Sequence, residues 1–173
     1  MGSKRIGLAR VEALIENLKR DLSLNQSTLK GVKSDIIECS SATTLTANQS
    51  GATISWTHSA SNHNLTLPAA KQGLRFRFVI AVGHAAEHDI LAVGSDKIIG
   101  RVNVLSTTVD KTDTQIGNKG DSFVKINLHA TTTTLGGDIG DTIELVCLED
   151  GFWTCSAQLT LRTGSPSGTA VLT

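Results

Sequence analysis

Turns dictate what this chain can become. From Asp35 to about Leu161 its apolar runs are short and separated by Asn48-Gln-Ser-Gly51, Pro68, Gly117-Asn-Lys-Gly120, Gly136-Gly-Asp-Ile-Gly140 and Asp150-Gly151. Glycine adopts backbone angles other residues resist, proline removes a ladder donor, and Asn and Asp side chains bond their own backbone. The runs between these breaks read as strands: Ile36–Ser40, Ala52–Trp56, Asn64–Leu67, Leu74–Val82, Ile90–Val93, Ile98–Val104, Phe123–His129, Thr142–Leu148 and Phe152–Leu161. Arg75-Phe-Arg-Phe-Val-Ile80 alternates polar and apolar side chains, the period of a half-buried strand. Asp150-Gly151 between two apolar runs is the strongest hairpin signal. Regular strands without intervening helices predict a mainly β chain, with an antiparallel β-sandwich or jelly-roll-like body over residues 34–163. No internal repeat is present.

The first 33 residues differ in kind. Over residues 4–22, Leu8, Val11, Ile15, Leu18 and Leu22 recur at spacings of three and four, and Leu14 widens the stripe. This predicts an amphipathic α-helical arm, with Glu16 and Arg20 four apart on its polar side. A helix of this length is marginal in water, so its seam must dock, either on its own body or on a neighbour. Leu24 to Lys33 reads as a polar spacer, which suits an arm gripping a neighbour. At the other end, residues 164–173, with Gly-Ser-Pro-Ser-Gly168 at their start, read as a flexible or partner-bound tail.

Composition narrows the partners. Acidic and basic residues balance at 16 each, so charge gives no reason to expect nucleic acid or an anionic membrane. Aromatics are 3% with no tyrosine, which argues against base stacking and weakens a sugar-binding cleft. Threonine is abundant, with a run at Thr131–Thr134, and favours pleated, half-exposed surface. No apolar stretch approaches the roughly 20 residues that span a bilayer, and the opening segment is charged rather than signal-like. A chain made and used from a cytoplasm is expected, so the sequons at Asn25, Asn48 and Asn64 carry no weight. Cys39, Cys147 and Cys155 lack metal spacing. A two-residue turn at Asp150-Gly151 pairs Val146 with Cys155, whereas a three-residue turn sets Cys147 opposite Cys155; free thiols are expected in a reducing compartment.

The search for reaction chemistry turns on His84-Ala-Ala-Glu87-His88, which fits the H-x-x-E-H pattern of one class of zinc metalloproteases. That chemistry needs both histidines on one helix face with the glutamate placed to activate water. Here only Gly83 to His88 lie between two strand-like runs, about one and a half helical turns, and the third ligand would have to be Glu144 or Glu149. The motif is therefore expected to be an exposed polar loop, with His58 and His63 also facing water and no metal or cofactor bound. Gly136–Gly140 has no helix after it to cradle phosphate. Asp110, Asp113, Asp121, Asp138 and Asp141 lack EF-hand spacing and are expected to be solvated. There is no G-x-S-x-G, and no cysteine has a neighbouring histidine. No enzymatic activity is expected.

Asn64-Leu-Thr-Leu-Pro-Ala-Ala70 followed by Gly73-Leu-Arg-Phe-Arg-Phe-Val-Ile80 resembles a pattern in tailed-bacteriophage virion proteins. Gly140-Asp-Thr-Ile-Glu-Leu-Val146 with Asp150-Gly-Phe-Trp153 is similar to that pattern's closing hairpin, and Gly2 to Lys19 resembles the start of small virion proteins of podovirus-like phages. Trp153-Thr-Cys155 departs from the usual hairpin, in which tyrosine often follows the tryptophan and cysteine is uncommon. The resemblance covers about half the chain and marks fold positions rather than binding residues. It implies a capsid decoration, or cement, protein: a non-enzymatic and often trimeric subunit on the outer capsid surface, assembled in the host cytoplasm. The major capsid protein, or a sister subunit, is then the expected partner of Leu8, Val11, Leu14, Ile15, Leu18 and Leu22, with Lys4, Arg5 and Arg10 as rim charges. A tail-fibre or head-fibre module recognising a host glycan is the alternative, and a hydrolase using His84, Glu87 and His88 is a third.

Overall fold

A computed structural model describes residue 12 and residues 35–58, 61–107, 111–129, 135–162 and 171–173. The chain divides into two units, 1–33 and 34–173, and every element below belongs to the second. Apart from residue 12, the expected arm over 4–22, with Leu8, Val11, Leu14, Ile15, Leu18, Leu22, Lys4, Arg5 and Arg10, lies outside the described residues. Among the described residues no helix is long and apolar enough to cross a membrane.

The second unit is mainly β. Its strands are β1 (Ile36–Cys39), β2 (Thr43–Thr44), β3 (Thr53–Trp56), β4 (His63–Thr66), β5 (Arg75–Ile80) and β6 (His88–Leu91), then β7 (Lys97–Ser106), β8 (Thr112–Gly117), β9 (Lys125–Leu128), β10 (Thr142–Glu149) and β11 (Phe152–Leu161). They form a seven-stranded sheet in the order β1-β3-β5-β10-β11-β7-β8 and a four-stranded sheet in the order β2-β4-β6-β9. One hydrophobic core joins the sheets: Ile54, Trp56, Phe78, Ile98, Leu145 and Trp153 from the larger meet Leu65, Ile90, Ile126 and Leu128 from the smaller.

The sheets are mixed, which corrects the antiparallel expectation. β1, β3 and β5 run parallel, as do β2, β4 and β6, and β7 with β11. The cause is the path of the chain. Its first six strands alternate between the two sheets, so each strand returns beside the one two before it, pointing the same way. Parallel pairs need a long crossover, and here a strand of the opposite sheet supplies it. Antiparallel pairs take over where hairpins form, at β7–β8 and β10–β11.

Three further departures have local reasons. β8 falls outside the expected strands because Ile116 faces solvent while Asp113 and Gln115 turn inward, so apolar alternation is missing. At the Asp150-Gly151 hairpin Glu149 pairs with Phe152, but a bulge at Leu148 sets Cys147 opposite Trp153 and Leu145 opposite Cys155. Both expected cysteine registers therefore fail. The bulge sends Leu148 into solvent and keeps Ile143, Leu145 and Cys147 on the core side. All three cysteines are free and buried. Lastly, residues 171–173, expected in a flexible tail, are docked: Val171 and Leu172 are buried and Leu172 bridges Ile126 of β9.

The segments that carry the virion-protein resemblance interlock. β5 pairs with β10 along Thr142↔Val79 to Val146↔Arg75. Gly73 donates to the Cys147 carbonyl and Cys147 back to Leu74. Asp150 accepts from the Gln72 amide and the Lys71 ammonium, both at 2.8 Å, and Gly151 donates to the Ala70 carbonyl.

Candidate metal centre

Parallel pairing of β4 with β6 places the two strands' first residues, His63 and His88, directly opposite each other. Side chains at one register position of adjacent strands share a face, so two imidazoles stand side by side. A third comes from the other sheet. β3 ends at buried Trp56, where Thr57 donates to the Cys39 carbonyl and Ala81 to the Trp56 carbonyl. These bonds fix the strand's exit, and His58 follows at once.

The three rings converge. His58 Nδ1 lies 2.9 Å from His63 Nδ1 and 3.4 Å from His88 Nε2. One ring nitrogen from each residue falls within 4.8 Å of the others. Among the described residues this is the group of His, Cys, Asp or Glu side chains with ligand spacing. Two of the outer nitrogens are occupied: His88 Nδ1 donates to the Ala86 carbonyl at 2.8 Å, and His58 Nε2 lies 3.5 Å from the Ser61 hydroxyl. The Ala86 bond fixes the His88 tautomer and leaves the Nε2 lone pair directed at His58. Burial, then charge on His58, His63 and His129, pulls His88 below the usual histidine range despite the opposing pull of the Ala86 carbonyl. Neutral imidazole is the form that donates a lone pair.

His84 backs this group. Its ring stacks on His88 at 4.0 Å and 14°, and Trp56 meets His84 and His88 edge-on at 4.7 and 5.4 Å. Burial, reinforced by the neighbouring histidines, pushes His84 down to about 3. Among the described residues neither of its ring nitrogens has a hydrogen-bond partner.

The structure bears on each expected site residue. His84 and His88 are fully buried and His58 and His63 half-buried, which corrects the expectation that all four face water. His88 opens a strand whose alternate positions point to the core, and the apolar ring of Trp56 covers it. The loop from Gly83 to Glu87 is not helical, as the spacing of the motif required. Two stacked rings project their lone pairs side by side rather than at one point, so His84 and His88 are not a chelating pair. Glu87 is engaged by Asn127 Nδ2 and by Lys125 at 3.8 Å, while Glu144 faces Arg77 and Glu149 pairs with Lys119.

Asp141, expected in solvent, is buried and accepts from the amides of Gly137, Asp138 and Thr160 at 2.7–3.0 Å. Burial pushes its carboxyl up, against the pull of those amides. Asp138 pairs with Arg162. Asp113 and Asp121 sit in turns and strand ends, and Asp110 lies outside the described residues. Cys155 is pushed up to about 12 by burial, and burial raises Cys39 and Cys147 too, so no thiol is poised as a nucleophile.

Comparison of the chain with protein-family models, characterised proteins and solved structures returns no match.

Proposed function

We propose that this chain is a non-enzymatic structural subunit of a tailed-phage virion, a decoration protein that binds the outer capsid surface. The observation carrying this reading is the interlocking of its phage-like segments. Ala70 to Ile80 is distant in sequence from the hairpin of Thr142 to Val146 and Asp150 to Trp153, yet bonds to it across the middle of the larger sheet. Such mutual support is what a shared structural module needs and chance resemblance does not. A β-sandwich body with a common core suits a subunit that must survive outside a cell.

The mechanism is mass action. A subunit that binds the assembled shell and not its free parts stabilises the shell. The arm's apolar seam, Leu8, Val11, Leu14, Ile15, Leu18 and Leu22, supplies buried area at roughly 25 cal/mol per Å², with Lys4, Arg5 and Arg10 at its rim. In a homotrimer three arms engage together, which raises avidity without new contacts.

Deleting residues 1–24 is expected to leave a folded body that no longer cosediments with capsids of its phage. Undiminished cosedimentation overturns the assignment of the arm as anchor. Saturable binding on a glycan array would move the protein to the tail-fibre or head-fibre class instead.

A further inference from the structure

We propose that His58, His63 and His88 form a zinc site that fastens the two sheets together, with three imidazole ligands and one position open to solvent. The inference does not rest on the virion reading.

Geometry carries it. Zinc–nitrogen bonds of about 2.0–2.1 Å at a tetrahedral angle hold two ligand nitrogens about 3.3 Å apart. The two separations at His58 Nδ1, 2.9 and 3.4 Å, bracket that value. A cation can hold all three ring nitrogens, which lie within 4.8 Å of one another, whereas a proton joins only one pair. The outer contacts of His88 to Ala86 and of His58 to Ser61 are the hydrogen bonds that orient zinc-bound histidines and choose the metal-facing nitrogen. An all-imidazole set suits zinc and its borderline neighbours cobalt, nickel and copper, and is unsuited to calcium or magnesium, which take oxygen.

Position gives the site its role. His58 leaves β3 of the larger sheet, whereas His63 and His88 open β4 and β6 of the smaller. An ion held by all three ties the sheets at one end of their shared core. His58 and His63 are half-buried, so a fourth ligand could reach the ion from solvent. Glu87, held by Asn127 and Lys125, is not among the ligands.

The test uses the full chain, free of any affinity tag, stripped with chelator and titrated with zinc and with cobalt chloride. One ion per chain is expected, and cobalt should give the visible absorption bands of a tetrahedral nitrogen site. His58→Ala and His63→Ala, both at half-buried positions, should each weaken binding at least 100-fold while far-ultraviolet circular dichroism stays unchanged. Zinc at a hundred times its dissociation constant should raise the melting temperature of the parent protein by about 5–10 °C, and that of the two variants hardly at all. Glu87→Gln should bind as the parent does. Absence of saturable binding at one ion per chain overturns the proposal, as does binding by His63→Ala within threefold of the parent. A loss in Glu87→Gln equal to that in His63→Ala would transfer the site to the loop motif and overturn it equally.

Discussion

Gly100 shows how one residue holds a strand pair together. It sits in β7 at φ +115°, opposite Cys155 of β11, and an added Cβ would lie 2.2 Å from the Cys155 carbonyl oxygen and 2.8 Å from its nitrogen. Both obstacles are backbone, which cannot swing aside. Gly140 has a similar φ of +89° but open space around it. Gly140→Ala should therefore cost about 1–2 kcal/mol, the left-handed penalty alone. Gly100→Ala should cost more than about 3 kcal/mol or prevent folding. Urea denaturation of the two variants separates these, and equal costs would contradict the crowding at Cys155. Charge acts more weakly. The Arg162 guanidinium holds the Asp138 carboxyl below the usual carboxylate range. A depressed folded pKa adds stability above the unfolded value near 4, and that stability is lost as pH falls through the folded value. Arg162 is 45% exposed, so solvent screens the pair and its contribution at neutral pH is small. Asp138→Asn should thus shift the urea midpoint slightly at pH 7 and not at all near pH 2.

Among the elements, β8 and the last three residues depend on each other. The Gln115 side chain donates to the Leu172 carbonyl at 2.8 Å and accepts from the Leu172 amide at 2.7 Å, acting as a short surrogate strand. Thr173 exchanges amide bonds with Lys125, and the Asn127 amide donates to Val171. Removing residues 171–173 exposes the flank of β9 and loses two buried aliphatic side chains, each worth about 1.5–3 kcal/mol. A loss of about 3–5 kcal/mol is expected in chemical denaturation, against about 1–2 kcal/mol for Gln115→Ala. The same residues explain why the sequence concealed this element. Gln115 substitutes for a backbone, and no propensity scale scores that. The Asp150-Gly151 hairpin was legible because its turn is local, yet the bulge at Leu148 was not, since it answers to packing of Cys147 and Trp153 in the shared core.

At the level of the whole molecule, residues 34–173 hold a complete core of their own. Removing residues 1–24 should leave the melting temperature within about 2–4 °C of the full chain's, the shift of about 1 kcal/mol in a protein this size. The truncated chain should also bind zinc with unchanged affinity, because all three proposed ligands lie beyond the cut. A calorimetric scan with and without zinc measures both. Capsid binding and metal binding would then fail independently, one with the arm and the other with His63→Ala.

The division between sequence and structure follows the range of the forces. Short-range preferences wrote the strands and the turns into the chain: β-branched and aromatic alternation in Arg75–Ile80, glycine and aspartate at Asp150-Gly151, Pro68 two residues past β4. These depend on a residue and its immediate neighbours, so they can be read without a fold. Direction and neighbourhood cannot. Whether β4 lies beside β6, and which way it points, depends on the chain shuttling between two sheets to bury both faces in one core. That long-range choice sets His63 against His88, brings His58 across from the other sheet, and takes His84 out of water. Histidines on separate strands and loops carry no mark of their meeting, because the free energy that joins them belongs to the core beneath.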